Sequence, residues 1–358
     1  MPRIDEILIA AVERGASDVH ILAKLPPHIR VNGKLVPMNM PVLSSEEVDA
    51  MMRDILTLDQ YRAFVETREL DFSYGIEGVG RFRINLHFQR GTPGASIRPL
   101  KDRIPSFQEL GLPEQVILNF LAQPYGLILL CGPTGSGKST TLAAMVEHLN
   151  QNEAIHIVTL EDPIEYLFRH KKAIVEQREI GSDTPSFNEA LRRALRQDPD
   201  VVLIGEMRDR ETIEAALRIA ETGHLVMATL HTGEVSQAMG RIVGSFPSEQ
   251  QTMVRMQLSL ILLGVISQQL LPKQDGTGRV LITECLVGTP AVRNLVREGQ
   301  FSQLYNQIQL GSGVGMHTFN SSIVNLLRQG IISREVAFDA SMNHKELVSL
   351  LSGKAGHG

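Results

Sequence analysis

The run Gly132-Pro133-Thr134-Gly135-Ser136-Gly137-Lys138-Ser139 has the spacing G-x-x-x-x-G-K-[ST]. Glycines at this spacing let successive backbone N–H groups curl around phosphate oxygens. The lysine then reaches the β- and γ-phosphates, and the serine hydroxyl ligates Mg²⁺. The apolar segment Leu127–Cys131 stands before the run and a helical segment, Thr140–Leu149, follows it. That strand–loop–helix order adds the favourable dipole of a helix N-terminus to the phosphate cradle. The chemistry implied is the binding and cleavage of ATP, with Mg²⁺ as its counterion.

A phosphate loop needs a group that handles the attacking water. Val201–Ile204 is an apolar strand followed by Gly205-Glu206, which aims a carboxylate at the metal and the water. The alternative role for Glu206 is a strand-end acid capped by Arg208 or Arg210. Glu161-Asp162-Pro163-Ile164-Glu165 follows another apolar strand. Its three carboxylates either hold the water shell of the metal or form a solvated turn. His224 and His231 frame a further strand, where a histidine either senses the γ-phosphate or serves the structure. Between Arg81 and Arg103 lie six basic residues and one acid, Asp102. In a ring of subunits such an arginine offers a positive charge to the neighbour's triphosphate; otherwise it solubilises the surface.

These groups require a scaffold of buried strands. Leu127–Cys131, Ile155–Leu160, Val201–Ile204 and Leu225–Leu230 are short apolar runs separated by helical stretches, which predicts a largely parallel sheet covered by helices on both faces. A helix over Phe187–Gln197 opens at the capping pattern Ser186-x-x-Glu189 and stops before Asp198-Pro199. From Ser248 onwards the chain reads as mainly helical. The first hundred residues read as a smaller α+β unit. A first helix ends near Gly15, and Asn32-Gly33 turns a hairpin between Pro27–Val31 and Lys34–Val36. A helix spans Ser45–Glu66, and strands cover Leu70–Tyr74 and Arg81–Gln89. In the last of these Phe82, Ile84, Leu86 and Phe88 alternate with Arg81, Arg83, Asn85 and His87, so one face is buried and the other is polar. The prolines and charges from Pro99 to Pro105 mark a linker, which gives domains at 1–98 and 112–358 joined by 99–111.

Composition limits the alternatives. The 358 residues are 43% hydrophobic and 21% charged, which suits a globular α/β protein of two domains. Two cysteines, Cys131 and Cys285, are too few for a tetracysteine zinc site or a disulfide scaffold, and fit a reducing cytoplasm. Residues Met1–His20 read as an amphipathic helix rather than a leader, and no apolar run approaches the length of a membrane span. A DNA-handling ATPase calls for a basic or aromatic groove, whereas this chain has no Trp, 5% aromatics and a net charge of −5; no stable nucleic-acid partner is expected. A small-molecule kinase calls for an acceptor pocket and lid.

Gly132–Ser139, Glu161–Glu165, Gly205-Glu206-Met207-Arg208-Asp209 and Thr222-Gly223-His224 through His231-Thr232 resemble the Walker A, Asp box, Walker B and His box of secretion-superfamily ATPases. Gly15-Ala16-Ser17-Asp18-Val19-His20 and Ala291-Val292-Arg293-Asn294-Leu295-Val296-Arg297-Glu298 are more specific. They resemble the PilT-like retraction ATPases of type IV pili, whose corresponding segment reads AIRNLIRE. The resemblance implies an amino-terminal PAS-like domain, a RecA-like P-loop ATPase domain with a helical carboxyl-terminal part, and a homohexameric ring. It implies a motor that powers pilus retraction and twitching, with an accessory PilU-like retraction ATPase as the alternative. The extension and type II secretion branches carry a further amino-terminal domain and a zinc module, and the chain is expected to lack both. The implied nucleotide-binding set is Gly132, Pro133, Thr134, Gly135, Ser136, Gly137, Lys138, Ser139, Thr140, Glu161 and His224, with Ser139 holding Mg²⁺. The implied catalytic set is Glu206, Glu165 and His231, with Arg83 and Arg98 acting on a neighbouring subunit. Thr92-Pro93-Gly94-Ala95-Ser96, between those two arginines, departs from the family pattern. The implied partners are an inner-membrane pilus platform protein and a paralogous retraction ATPase, with the ring seated at the cytoplasmic side of the inner membrane.

Overall fold

A computed structural model describes residues 4–31, 33–100 and 103–352. It divides into two compact units, Met1–Arg103 with Glu165–Leu167, and Ile104–Ile164 with Phe168–Gly358.

The first unit begins with α1 (Ile4–Glu13), which buries Ile4, Ile7, Leu8 and Ala11 at helical spacing. Then come β1 (Asp18–Leu22), β2 (His28–Val31), β3 (Lys34–Pro37), α2 (Ser45–Ile55), α3 (Leu58–Thr67), β4 (Glu69–Ile76), β5 (Gly80–Gln89) and β6 (Thr92–Pro99). The six strands form one antiparallel sheet in the order β3-β2-β1-β6-β5-β4. Val31 pairs with Lys34, as the hairpin expectation requires, although Asn32 itself lies outside the described residues. Phe82, Ile84 and Leu86 point inward to the core with Val48, Met51 and Met52 of α2.

One expectation for this unit needs correction. The single helix over Ser45–Glu66 is two helices, because Thr57 and Gln60 form their own capping box and restart the chain at Leu58. The Thr92–Ser96 segment, which departs from the family pattern in sequence, lies in a strand, β6, paired with both β1 and β5. Gly94 suits it, since a Cβ there would stand 2.7 Å from Leu22 Cδ2. Of the expected linker, Lys101 and Asp102 lie outside the described residues, and Phe107–Leu110 is a helix, α4, capped by Ser106.

The second unit continues with α5 (Glu114–Leu121), β7 (Gly126–Cys131), α6 (Lys138–Asn152), β8 (His156–Glu161), β9 (Ile174–Glu179), α7 (Phe187–Ala194), β10 (Val201–Ile204), α8 (Arg210–Glu221), β11 (Leu225–Leu230), α9 (Val235–Gly244) and α10 (Ser248–Ile261). It ends with β12 (Leu262–Pro272), β13 (Arg279–Val287), α11 (Pro290–Glu298), α12 (Leu304–Leu310), α13 (Phe319–Arg328), α14 (Arg334–Ala340) and α15 (His344–Leu351). The sheet order is β13-β12-β7-β11-β10-β8-β9, parallel throughout except for the antiparallel edge strand β13. Alternate residues of β7 serve separate cores: Leu127, Leu129 and Cys131 face one layer, Ile128 and Leu130 the other. Burial on both faces is why these strands read as continuous apolar runs.

The carboxyl-terminal third is mainly helical, as expected, from α10 to α15, but it also carries β12 and β13, a long hairpin registered from Gly264 opposite Val287 to Pro272 opposite Arg279. The helix α7 is shorter than expected, ending at Ala194.

Candidate nucleotide-binding site

Parallel pairing sets the geometry of the site. β7, β11, β10 and β8 are consecutive neighbours, so their carboxyl ends lie along one sheet edge. That edge receives the glycine-rich loop after Cys131, His231 after Leu230, Glu206 just past Ile204, and Glu161 at the end of β8. Crevices at strand carboxyl ends are where open α/β sheets bind ligands.

The loop itself is built for phosphate. Gly132, Gly135 and Gly137 have φ of +142°, +78° and +94°, which turns the backbone N–H groups inward ahead of α6. A Cβ on Gly132 would lie 2.4 Å from the Gln268 carbonyl oxygen and 2.6 Å from Ser136 Oγ. Among the described residues Ser136 Oγ is buried without a hydrogen-bond partner inside this curl, a polar group that a phosphate oxygen would satisfy. The Lys138 ammonium donates to the carbonyl oxygens of Gly132 and Pro133 at 2.8 and 3.0 Å, so it is already folded over the cradle. Ser139 and Thr140 follow on the first turn of α6. The donor set thus fits a triphosphate with Mg²⁺ on the Ser139 hydroxyl. No cluster of three or more His, Cys, Asp or Glu stands ready for a metal among the described residues.

Glu206, His231 and Thr134 form a chain toward the loop. His231 Nε2 lies 3.3 Å from Glu206 Oε1, and His231 Nδ1 lies 3.4 Å from the Thr134 hydroxyl. Burial, then the Lys138 ammonium, hold the imidazole below its usual pKa against the pull of Glu206. A neutral ring with Nε2–H toward Glu206 leaves Nδ1 to accept from Thr134. The capping alternative for Glu206 has its geometry: Arg208 Nε donates to Glu206 Oε2 at 2.7 Å. Arg208 reaches Asp162 as well, at 3.7 Å, and so spans the Walker B and Asp-box turns. Glu161 Oε1 accepts from Thr159 at 2.7 Å and Gln177 at 3.1 Å. Buried Glu179 accepts from the Ile164 N–H at 3.1 Å and fixes the turn that follows.

The other candidates are not gathered here. His224 precedes Leu225, at the opposite end of β11 from His231, about 20 Å away at ~3.3 Å per residue. Its Nδ1 meets the Ile219 carbonyl and the Thr222 hydroxyl, a local role at the end of α8. Strand polarity separates the two histidines, so within its own subunit His224 stands away from the phosphate loop. Glu165 is exposed and groups with Tyr166 and Leu167 in the first unit, so the second unit assembles its sheet-edge groups without it.

Arg83 and Arg98 sit opposite each other on β5 and β6. Arg83 is exposed. Arg98 is engaged: its Nε and one terminal nitrogen donate to Asp18 Oδ1 at 3.0 and 2.8 Å. Burial alone would raise the Asp18 carboxyl, but bonds from Arg98 and Ser17 outweigh it and hold the pKa below the usual range.

Sequence reasoning missed Gln268 of β12. It is fully buried, its amide nitrogen donates to Thr141 Oγ1 at 2.8 Å, and its carbonyl oxygen closes the floor beneath Gly132. The available signal was Ser267-Gln268-Gln269 inside an otherwise apolar run, since buried polar groups are the informative ones.

Comparison with known proteins agrees with this fold. A family profile described as Type II/IV secretion system protein matches residues 1–338. The type IV pilus retraction ATPase PilT of Pseudomonas aeruginosa is 48% identical over 334 residues, 93% of this chain and 96% of that protein. The type IV pilus ATPase PilU of the same organism is 41% identical over 333 residues, 93% of this chain and 87% of that protein. A crystal structure of the pilus retraction motor PilT with bound ADP matches with a TM-score of 0.91 at 48% identity, covering 97% of this chain and 99% of that one. From its phosphate loop to its full-length relatives, the chain belongs to the type II/IV secretion system protein family.

Proposed function

We propose that this chain is an ATP-hydrolysing motor that powers retraction of type IV pili. The observation that carries the reading is the strand-edge array of phosphate loop, Thr134, His231 and Glu206, in a chain 48% identical to a retraction ATPase along nearly its whole length. Lys138, with the loop N–H groups, binds the β- and γ-phosphates of ATP, and Ser139 would hold Mg²⁺, which would offset the charge that develops on the phosphates. Glu206 orients the attacking water and accepts its proton. Its contacts with His231 and Arg208 fix the carboxylate, and the neutral imidazole links that carboxylate to Thr134 in the loop. Hydrolysis breaks the link between terminal phosphate and diphosphate, so the side chains that answered to the γ-phosphate are free to move.

The motor works as a homohexamer, in which Arg83 of one subunit approaches the triphosphate of the next. No helix among the described residues is long and apolar enough to cross a membrane. In this reading the ring docks at the inner membrane through a platform protein at the pilus base, and a paralogous retraction ATPase shares that site. The main retraction motor is favoured over the accessory one by 48% against 41% identity. Deletion of the gene tests the reading: surface pili accumulate and twitching stops if the chain retracts pili. A strain that loses its pili, or keeps normal twitching, refutes it.

A further inference from the structure

Glu284 on β13 is a buried carboxyl, 3% exposed, that the site described above does not use. Its Oε1 accepts from the backbone N–H of Val235 at 3.2 Å. Val235 opens α9, and the preceding residue, Glu234, makes no side-chain cap of its own. The orphan donors of that helix end are thus served from across the sheet. Directly opposite Glu284 on the hairpin stands Ser267 of β12, whose hydroxyl donates to the Gly233 carbonyl at 2.8 Å. Two side chains on one face of the β12–β13 hairpin therefore grip Gly233 and Val235, immediately downstream of His231-Thr232. Ser267 is also in register with Cys131, the last residue before the phosphate loop. The same hairpin is hydrogen-bonded to the strand that feeds the phosphate loop and holds the segment that carries the histidine.

We propose that Glu284, assisted by Ser267, is a positioning residue for ATP hydrolysis: it holds the 231–235 segment so that His231 stays between Thr134 and Glu206. The inference rests on the hydrolytic reading above. What the position requires is an acceptor for the Val235 N–H, not a charge. Burial, reinforced by Glu234 and Glu346, pushes its pKa up to about 7 despite the Val235 hydrogen bond, so an ionised Glu284 weighs against folding. A neutral amide would cap the helix without that cost. The 3.3 and 3.4 Å contacts of His231 have little tolerance, since a shift of about 1 Å in a catalytic array can cost on the order of a hundredfold in rate.

The test uses the full chain, with kcat and KM for Mg·ATP from phosphate release, binding of a fluorescent ADP analogue, and thermal unfolding. Glu284→Ala is expected to lower kcat by about tenfold or more with KM and ADP affinity within about threefold, the pattern of a lost transition-state interaction. Glu284→Gln, whose amide oxygen still accepts from Val235, is expected within about threefold of wild type, and the double variant Glu284→Ala/His231→Ala to be no slower than His231→Ala alone. Ser267→Ala removes only one hydroxyl and carries the test if Glu284→Ala does not fold; it too should lower kcat while leaving ADP affinity in place. Wild-type kcat in Glu284→Ala or Ser267→Ala overturns the proposal. So does a Glu284→Gln loss as deep as that of Glu284→Ala, or losses that multiply in the double variant. Absence of phosphate release from the wild-type chain is a different result, since it removes the hydrolytic reading itself.

Discussion

Replacing Gly132 by alanine should damage the phosphate loop far more than the same change at Gly135. At Gly132 the backbone φ of +142° is a region that side-chain-bearing residues almost never occupy. The new Cβ would stand 2.4 Å from the Gln268 carbonyl oxygen and 2.6 Å from Ser136 Oγ. That carbonyl belongs to β12, which is paired on both sides and so is held against retreat. Backbone strain of about 1–3 kcal/mol and overpacking of a further 1–3 kcal/mol put the loss at roughly 2–6 kcal/mol. At Gly135, φ is +78° and a Cβ meets nothing within 4 Å, which leaves only the left-handed penalty of about 1–2 kcal/mol. Urea unfolding and binding of a fluorescent ADP analogue measure both effects. Gly132→Ala is expected to shift the midpoint much further than Gly135→Ala, and to lose ADP affinity by at least about a hundredfold, the equivalent of some 3 kcal/mol. If the two variants unfold together and both bind ADP like wild type, the packing of the loop against β12 is wrong.

Glu284 should make stability depend on pH. Its pKa rises from 4.5 to about 7 on folding, so the folded chain binds more protons between those values and stability falls as pH rises through them. Glu284→Gln is expected to exceed wild type by up to about 3 kcal/mol above pH 7, with the gap closing toward pH 5; a gap independent of pH refutes the assignment. Arg83→Ala subunits that keep Lys138, mixed with Lys138→Ala subunits that keep Arg83, should recover ATPase activity, because each supplies what its neighbour lacks. Confirmed mixed hexamers with no recovery would exclude Arg83 as a group acting between subunits. In α11, Val292, Leu295 and Val296 are buried, while Arg297 is 54% exposed beside Glu298. Arg297→Glu is therefore expected to spare ATP hydrolysis and reduce twitching, and unchanged twitching would mark α11 as a plain surface helix.

Much of the site was legible because its signals are local. A phosphate loop is a contiguous spacing of glycines and a lysine, and β7, β10 and β11 announce themselves as short apolar runs because both of their faces are buried. Two kinds of feature were hidden. The first is polarity of placement: His224 and His231 look alike in the sequence, and only the direction of β11 decides which of them meets the loop. The second is helix against strand in a long apolar stretch. α10 runs into β12 at Leu262 with no glycine or proline between them, and composition alone does not separate two such segments. The break after Ile55 was readable in principle, since Thr57-x-x-Gln60 is a capping signature lying inside the expected helix. The roles of Ser267, Gln268 and Glu284 depend on pairing across the β12–β13 hairpin, which no local window contains.

The central claim is that Glu206, held by His231 and Arg208 at the strand edge, activates the water that attacks ATP. Phosphate release by Glu206→Gln tests it most directly, measured beside the binding of Mg·ATP to the same preparation. The amide keeps the shape of the side chain but accepts no proton, so nucleotide should bind as in wild type while turnover falls by about a hundredfold or more. Turnover near the wild-type rate would contradict the account and move the catalytic role to another carboxylate, Glu161 or Glu165.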